Sequence, residues 1–266
     1  MQLDALYALI AKDMQAVDAV IRERLHSDVV LVRQVAEYIV QSGGKRMRPA
    51  LVLLVGDFLY SRAFQMMVNV GDMRVMEVLS DATNIIAEGE VLQLMNGHDA
   101  DVEIDGYLRV IRYKTAKLFE AASRLGALLG GANAEVEAAM AAYGMHLGTA
   151  FQLVDDVLDY SGEQDEIGKS LGDDLAEGKP TLPLIHVIQN GTAEQAACVR
   201  RAIETGGRDE FDAVLAAVRE TGALEETRRY AEAESAAAQK ALECLPASQY
   251  KESLIELSSF AVARRH

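Results

Sequence analysis

Apolar residues recur every three to four positions along most of this chain. Leu3, Leu6, Leu9, Ile10, Met14, Val17 and Ile21 mark one face of an amphipathic helix over residues 3–24. His26, Ser27 and Asp28 interrupt it, and a second helix runs through Val40 to a stop at Gly43 and Gly44. Residues 50–70 form an apolar helical run, expected to break near Gly56 and Asp57. Further helices are expected over 72–96 and 107–129, separated by an acidic loop. Asn133 is placed to cap a long helix of residues 134–160. Gly144 and Gly148 lie inside that helix. Each costs up to about 1 kcal/mol there, which implies close packing or a ligand's approach. Residues 161–172 read as a mobile polar loop able to close over a ligand. Thr192 with Gln195 fits a capping box, and four helices follow to Arg265. No linker or low-complexity boundary is visible, so residues 1–266 read as a single all-α domain.

Composition narrows the function more than the fold. The chain has 266 residues, half of them hydrophobic, and a net charge of −15 with no basic stripe. A general nucleic-acid binder needs a basic face, so that class is excluded. Cys198 and Cys244 lack metal-ligand spacing, which favours a reducing, cytoplasmic setting. The N-terminal charges come too early for a signal peptide, and no apolar run reaches membrane-spanning length.

Candidate chemistry concentrates between Phe151 and Pro183. At about 100° per residue, Asp155 and Asp159 stand about 40° apart on a helix, with Asp156 and Gln152 on the same side. Like charges one turn apart repel, so something positive is expected beside them. A hard divalent cation such as Mg²⁺ suits carboxylate ligands, waters and substrate phosphates. Lys169 and Lys179 suit phosphate oxygens. Asp173 and Asp174 begin the next helix, where acids are ordinary dipole partners. Upstream, Lys45, Arg46 and Arg48 surround a Gly-Gly turn that could hold an anion. Taken singly, most of these residues fit a solvated surface equally well. Lys114 in mid-helix and the acids Glu88 and Glu90 are examples. His146 reads as structural.

Together the motifs carry more. GGKRMRP, then Lys114-Thr115, then FQLVDDVLD, then GKSLGDDLAEGKPTLP resemble the trans-prenyltransferases, the head-to-tail isoprenyl diphosphate synthases. VGDFLYSRAFQMM and IAEGEVLQLMN resemble the long-chain branch of that family, and the resemblance covers nearly the whole chain. It implies a helical bundle around a deep central active-site cavity, Mg²⁺ dependence and a homodimer. Asp155, Asp156 and Asp159 match the second aspartate-rich, metal-binding motif. Lys114, Thr115, Gln152, Lys169 and Lys179 match positions that hold the allylic diphosphate, for which farnesyl diphosphate is the model. Among these the three lysines are the implied catalytic groups. Lys45 and Arg48 match positions that hold isopentenyl diphosphate. The implied product is an octaprenyl-length diphosphate for quinone side chains, expected to associate with membranes.

One part of the family pattern is missing. The first aspartate-rich motif should follow the helix that begins at Arg48, but Ala50–Leu54 runs straight into Val55. About two helices of a family member have no place between residues 54 and 55. Neither Asp57 nor Asp72 has a second acid at ligand spacing. A non-catalytic homologue that binds diphosphates or regulates a partner is therefore the alternative reading. A terpene cyclase is a weaker third, since cyclases carry a different second metal motif.

Overall fold

The computed structural model describes residues 11–12, 15–16, 19–20, 49–161 and 171–264. Helices α1 (Pro49–Val70) and α2 (Met73–Asn96) are followed by α3 (Ile104–Ile111), which passes through a π turn (Arg112–Ala116) into α4 (Lys117–Leu129). Next come α5 (Ala134–Ser161), the short α6 (Asp173–Ala176), α7 (Leu182–Asn190) and α8 (Ala193–Thr205). The chain ends with α9 (Phe211–Glu220), α10 (Ala223–Ala241) and α11 (Gln249–Ala263). No strand occurs among the described residues, and the class is all-α. Contacts divide the chain into two compact units, Met1–Glu77 and Val78–His266.

In the first unit, α1 runs unbroken through residues 54 and 55. The expected break near Gly56 and Asp57 is absent. A single glycine costs a helix about 1 kcal/mol, too little to stop one of 22 residues. Tyr60, Phe64, Val68 and Val70 of this helix stay exposed.

The second unit is organised around α5, a 28-residue helix about 42 Å long. Its N-cap is the expected one: Asn133 Oδ1 accepts from the Val136 N–H at 2.9 Å. The helix packs chiefly against α4 and α10. Each of its three stretches enters a different buried cluster. Tyr143 and Leu147 meet Ala238, Leu242 and Ala261. Leu153, Val154 and Leu158 meet Tyr107, Ile111, Leu182 and Ile185. Tyr160 joins Leu175, Leu184, Val199 and Ile203. Fully burying a side chain of this size contributes about 1.5–3 kcal/mol, so the polar face of α5 is held in place by apolar contacts along its whole length. The Thr192–Gln195 capping box forms with both hydrogen bonds, at 2.8 and 3.2 Å.

Candidate active site

A cavity of about 250 Å³ opens in the second unit, walled by α2, α3, the π turn, α5 and the segment from Asp174 to Thr181. Val110, Ile111 and Pro180 supply apolar wall. Lys114, Thr115, Gln152, Asp155 and Lys179, all anticipated from the sequence, meet around it. Gln93, Asn96, Tyr107, Asp174 and Thr181 also line it and were not anticipated.

Two of the three aspartates of the second motif, Asp155 and Asp156, line the cavity. Asp156 is 2% exposed and both its carboxylate oxygens are engaged. The Tyr107 phenol donates to Oδ2 at 2.5 Å and Gln152 Nε2 donates to Oδ1 at 2.9 Å. Thr115 Oγ1 in turn donates to Gln152 Oε1 at 3.0 Å. One chain of hydrogen bonds therefore joins α3, α5 and the π turn, and it locks the Gln152 amide in a single orientation. Asp159 Oδ2 accepts from the Asp174 N–H at 3.3 Å, at the start of α6.

These carboxylates are electrostatically crowded. Burial, reinforced by the charge of Asp174, pushes Asp156 up to about 8; hydrogen bonds from Tyr107 and Gln152 oppose the rise. Burial and Asp174 likewise push Asp159 up to about 6. Burial, with Asp156 behind it, holds the Tyr107 phenol well above its usual range. Among the described residues no three His, Cys, Asp or Glu side chains converge on one metal position. Asp155 and Asp174 at the cavity wall nonetheless fit a hard cation that takes one or two carboxylates and completes its shell with waters and substrate oxygens. The raised carboxylates are those such a charge would relieve.

Each cation at the cavity is already engaged by acids of its own. Lys114 Nζ pairs with Glu90 at 2.9 Å and donates to Gln93, both on α2. Glu90 and Gln93 are thus not merely solvated. The π turn that carries Lys114 departs from the continuous helix expected over 107–129. Two glycines show what it packs against. A Cβ on Gly89 of α2 would stand 2.6 Å from the Lys114 backbone nitrogen, and one on Gly148 of α5 would stand 2.6 Å from Ala116 Cα. So Gly148 serves close packing against the turn, and Gly89 does the same from the other side. Arg112, also in the turn, pairs at 3.0 Å with Glu234 of α10, which His146 meets at 2.5 Å. That is the structural role expected of His146. Burial alone would raise Glu234, but His146 and Arg112 hold it below the usual range.

Lys179 pairs with Asp174 at 2.8 Å and with Glu177 at 2.7 Å. Burial works against its charge, yet these two acids raise it above the ordinary lysine range. Its loop is fixed from behind. The His98 N–H donates to Gly178 O at 2.8 Å, and His98 Nδ1 lies 3.0 Å from Ile203 O. A side chain on Gly178, at φ 66°, would collide with the His98 ring. Lys45, Arg48 and Lys169 lie outside the described residues, as does most of the expected 161–172 loop. Among the described residues no helix is long and apolar enough to cross a membrane.

The polyprenyl synthetase family model matches residues 53–220. Octaprenyl diphosphate synthase of Escherichia coli (strain K12) is 43% identical, with 99% of each chain covered. That alignment runs over 321 positions against 266 residues here, so at least 55 positions have no counterpart in this chain. A nonaprenyl diphosphate synthase of Rhodobacter capsulatus described as geranyl-diphosphate specific is 36% identical over 97% of each chain. Among solved structures, a polyprenyl synthase from Caulobacter crescentus CB15, complexed with calcium and isoprenyl diphosphate, matches with a TM-score of 0.90 at 35% identity. It covers 100% of this chain and 98% of that one.

Proposed function

The chain belongs to the polyprenyl synthetase family, and from that premise we propose that it lengthens an allylic diphosphate by head-to-tail addition of isopentenyl diphosphate to octaprenyl length. It is a trans-prenyltransferase, a polyprenyl diphosphate synthase. The observation that carries this reading is one cavity wall holding Lys114, Lys179, Gln152, Thr115, Asp155 and Asp174 together.

Ionising an allylic diphosphate places charge on the departing oxygens, so catalysis is a matter of fixed positive charge and hydrogen-bond donors. Mg²⁺, held by Asp155 and Asp174 with Asp156 and Asp159 behind them, would neutralise that diphosphate. Lys114 and Lys179 exchange their present acid partners for phosphate oxygens. Gln152 and Thr115, already clamped together, stand at the cavity wall beside the place of the allylic diphosphate. Pre-formed dipoles of this kind act at no cost of reorganisation. Lys169 joins the allylic diphosphate site, and Lys45 and Arg48 hold isopentenyl diphosphate. Octaprenyl length is supported by the 40–43% identity to octaprenyl synthases against 36% to the nonaprenyl enzyme. Farnesyl diphosphate is the primer we favour.

The segment without counterpart belongs, on this reading, between residues 54 and 55, within one isoprenoid-synthase-like domain. The continuity of α1 there supports a clean junction. Exposed Tyr60, Phe64 and Val68 support a homodimer, and the cysteine usage supports a cytoplasmic enzyme. A non-catalytic homologue is not favoured, because the named relatives are synthases. The test is incubation with farnesyl diphosphate, isopentenyl diphosphate and Mg²⁺, after intact mass has verified a chain near 28.9 kDa. An octaprenyl product that disappears in Asp155→Ala is expected; no long product from the unsubstituted chain refutes the reading.

A further inference from the structure

His98 lies in the turn after α2. Among the described residues it is the only one other than glycine with a positive φ, 62°. That conformation is uncommon without glycine, and it persists only where the surroundings over-determine it. Here the surroundings include the segment that ends in Lys179. The His98 N–H donates to Gly178 O at 2.8 Å. The N–H on the other side of the same peptide group, that of Lys179, donates to Asp174 O at 2.9 Å. A peptide group is planar, so tying down both its ends fixes where the Lys179 side chain leaves the backbone. Gly178, at φ 66°, has no side chain to restrain it otherwise.

The imidazole completes the clamp. It covers the bare Cα of Gly178, where a Cβ would come within 2.3 Å of Nδ1. Nδ1 itself lies 3.0 Å from Ile203 O, near the end of α8. A carbonyl oxygen only accepts, so Nδ1 carries the proton and donates. One residue thus ties together the end of α2, the Lys179 segment and the end of α8. Lys179 lines the cavity and His98 stands outside it. We infer that His98 is a positioning residue for the diphosphate site, holding Lys179 at the cavity wall through the Gly178–Lys179 peptide. This rests on the diphosphate reading of the cavity and adds to it a residue that touches no ligand. Asp174 and Glu177 grip the Lys179 ammonium and must release it to a phosphate, whereas the His98 clamp acts on the backbone and persists through binding.

The test is calorimetric titration of the full chain with inorganic pyrophosphate in Mg²⁺ buffer. Glycine adopts a φ of 62° without strain and keeps the backbone donor, so His98→Gly folds and removes only the ring. It should lower pyrophosphate affinity about three- to tenfold, the effect of one lost hydrogen bond. Asparagine also tolerates a positive φ, and its amide nitrogen can take the place of Nδ1, so His98→Asn should recover most of the affinity. In a Lys179→Met background no charge remains to be positioned, and His98→Gly should cause no further loss. Affinity of His98→Gly equal to that of the unsubstituted chain overturns the inference alone. So does His98→Asn binding no better than His98→Gly. A loss of the same size in the Lys179→Met background also overturns it, because the ring would then serve the fold at large. No pyrophosphate binding by the unsubstituted chain overturns the diphosphate reading and this inference with it.

Discussion

Gly89→Ala asks whether α2 sets the position of the π turn, and with it Lys114. In an exposed helix, glycine to alanine stabilises by about 0.5–1 kcal/mol. Gly126 of α4 provides that baseline, since a Cβ there meets nothing within 4 Å. At Gly89 the same methyl would sit 2.6 Å from Lys114 N and 2.9 Å from both Lys114 Cα and Tyr113 C. Ordinary carbon contacts lie at about 3.5–4.0 Å, so backbone on one side or the other must move by close to an ångström. Overpacking of this kind costs about 1–3 kcal/mol. It outweighs the helix gain and leaves a net loss of about 0.5–2 kcal/mol. At about 2–4 °C per kcal/mol for a chain of this size, Gly89→Ala melts several degrees below Gly126→Ala in a thermal scan. The displacement also separates Lys114 from Glu90 and Gln93, so pyrophosphate affinity should fall in Gly89→Ala and hold in Gly126→Ala. If Gly89→Ala melts as high as Gly126→Ala and binds pyrophosphate normally, the close approach of α2 to the turn is not real.

Two further outcomes follow from the buried hydrogen bonds. Tyr107→Phe strips Asp156 Oδ2 of its donor, and leaving a buried acceptor unsatisfied costs about 1–3 kcal/mol. Denaturant unfolding of Tyr107→Phe, Asp156→Asn and the double variant should give a coupling energy of that order, and a coupling near zero rejects the pairing. The pH dependence has the opposite sign to the usual paired aspartate. Asp156 at about 8 and Asp159 at about 6 both lie above the ordinary 3.8, so the folded state binds their protons more tightly than the unfolded state does. Their contribution is full below about pH 4 and is lost as pH rises, by about 6 for Asp159 and about 8 for Asp156. Urea unfolding in chelator from pH 5 to 8.5 should show stability falling, and Asp156→Asn should fall less steeply. An equal slope in that variant removes Asp156 as the cause.

What the sequence made legible was local. The 3.6-residue period exposed the helices, and Asn133, Thr192 and Gln195 announced caps because a cap is a contact over three residues. Asp155, Gln152 and Lys179 could be grouped because motif order survives folding. Tyr107 could not be found this way: its partner Asp156 is 49 residues on, and a tyrosine in an amphipathic helix reads as core. The helical wheel set Asp156 about 100° from Asp155, which does not reveal that it lines the cavity while being almost wholly buried; the contact with Tyr107 of α3 does that. Asp174 was read as a dipole partner because its position on the cavity wall depends on the chain's return after residue 172. The break at Gly56 was expected from propensity alone, which a 22-residue helix overrides.

The π turn is also a change of phase. Leu118 follows Tyr107 by eleven residues, three full turns of an unbroken α-helix, and would share its inward face. It is instead 57% exposed, while its neighbour Lys117 is buried and pairs with Asp81 and Glu120. One extra residue in a helical turn is worth about 100° of rotation. The π turn takes up that extra residue, so the faces of α3 and α4 keep the alignment they would have in an α-helix one residue shorter. Rewinding the turn to α geometry at its present length would bring Leu118 into line with Tyr107 and turn Lys117 away from its acids. Deleting one residue between Ile111 and Lys117 would instead leave Leu118 ten residues after Tyr107, about 80° short of it at 100° per residue, so the face of α4 would be kept and only the contacts of the turn itself would be lost.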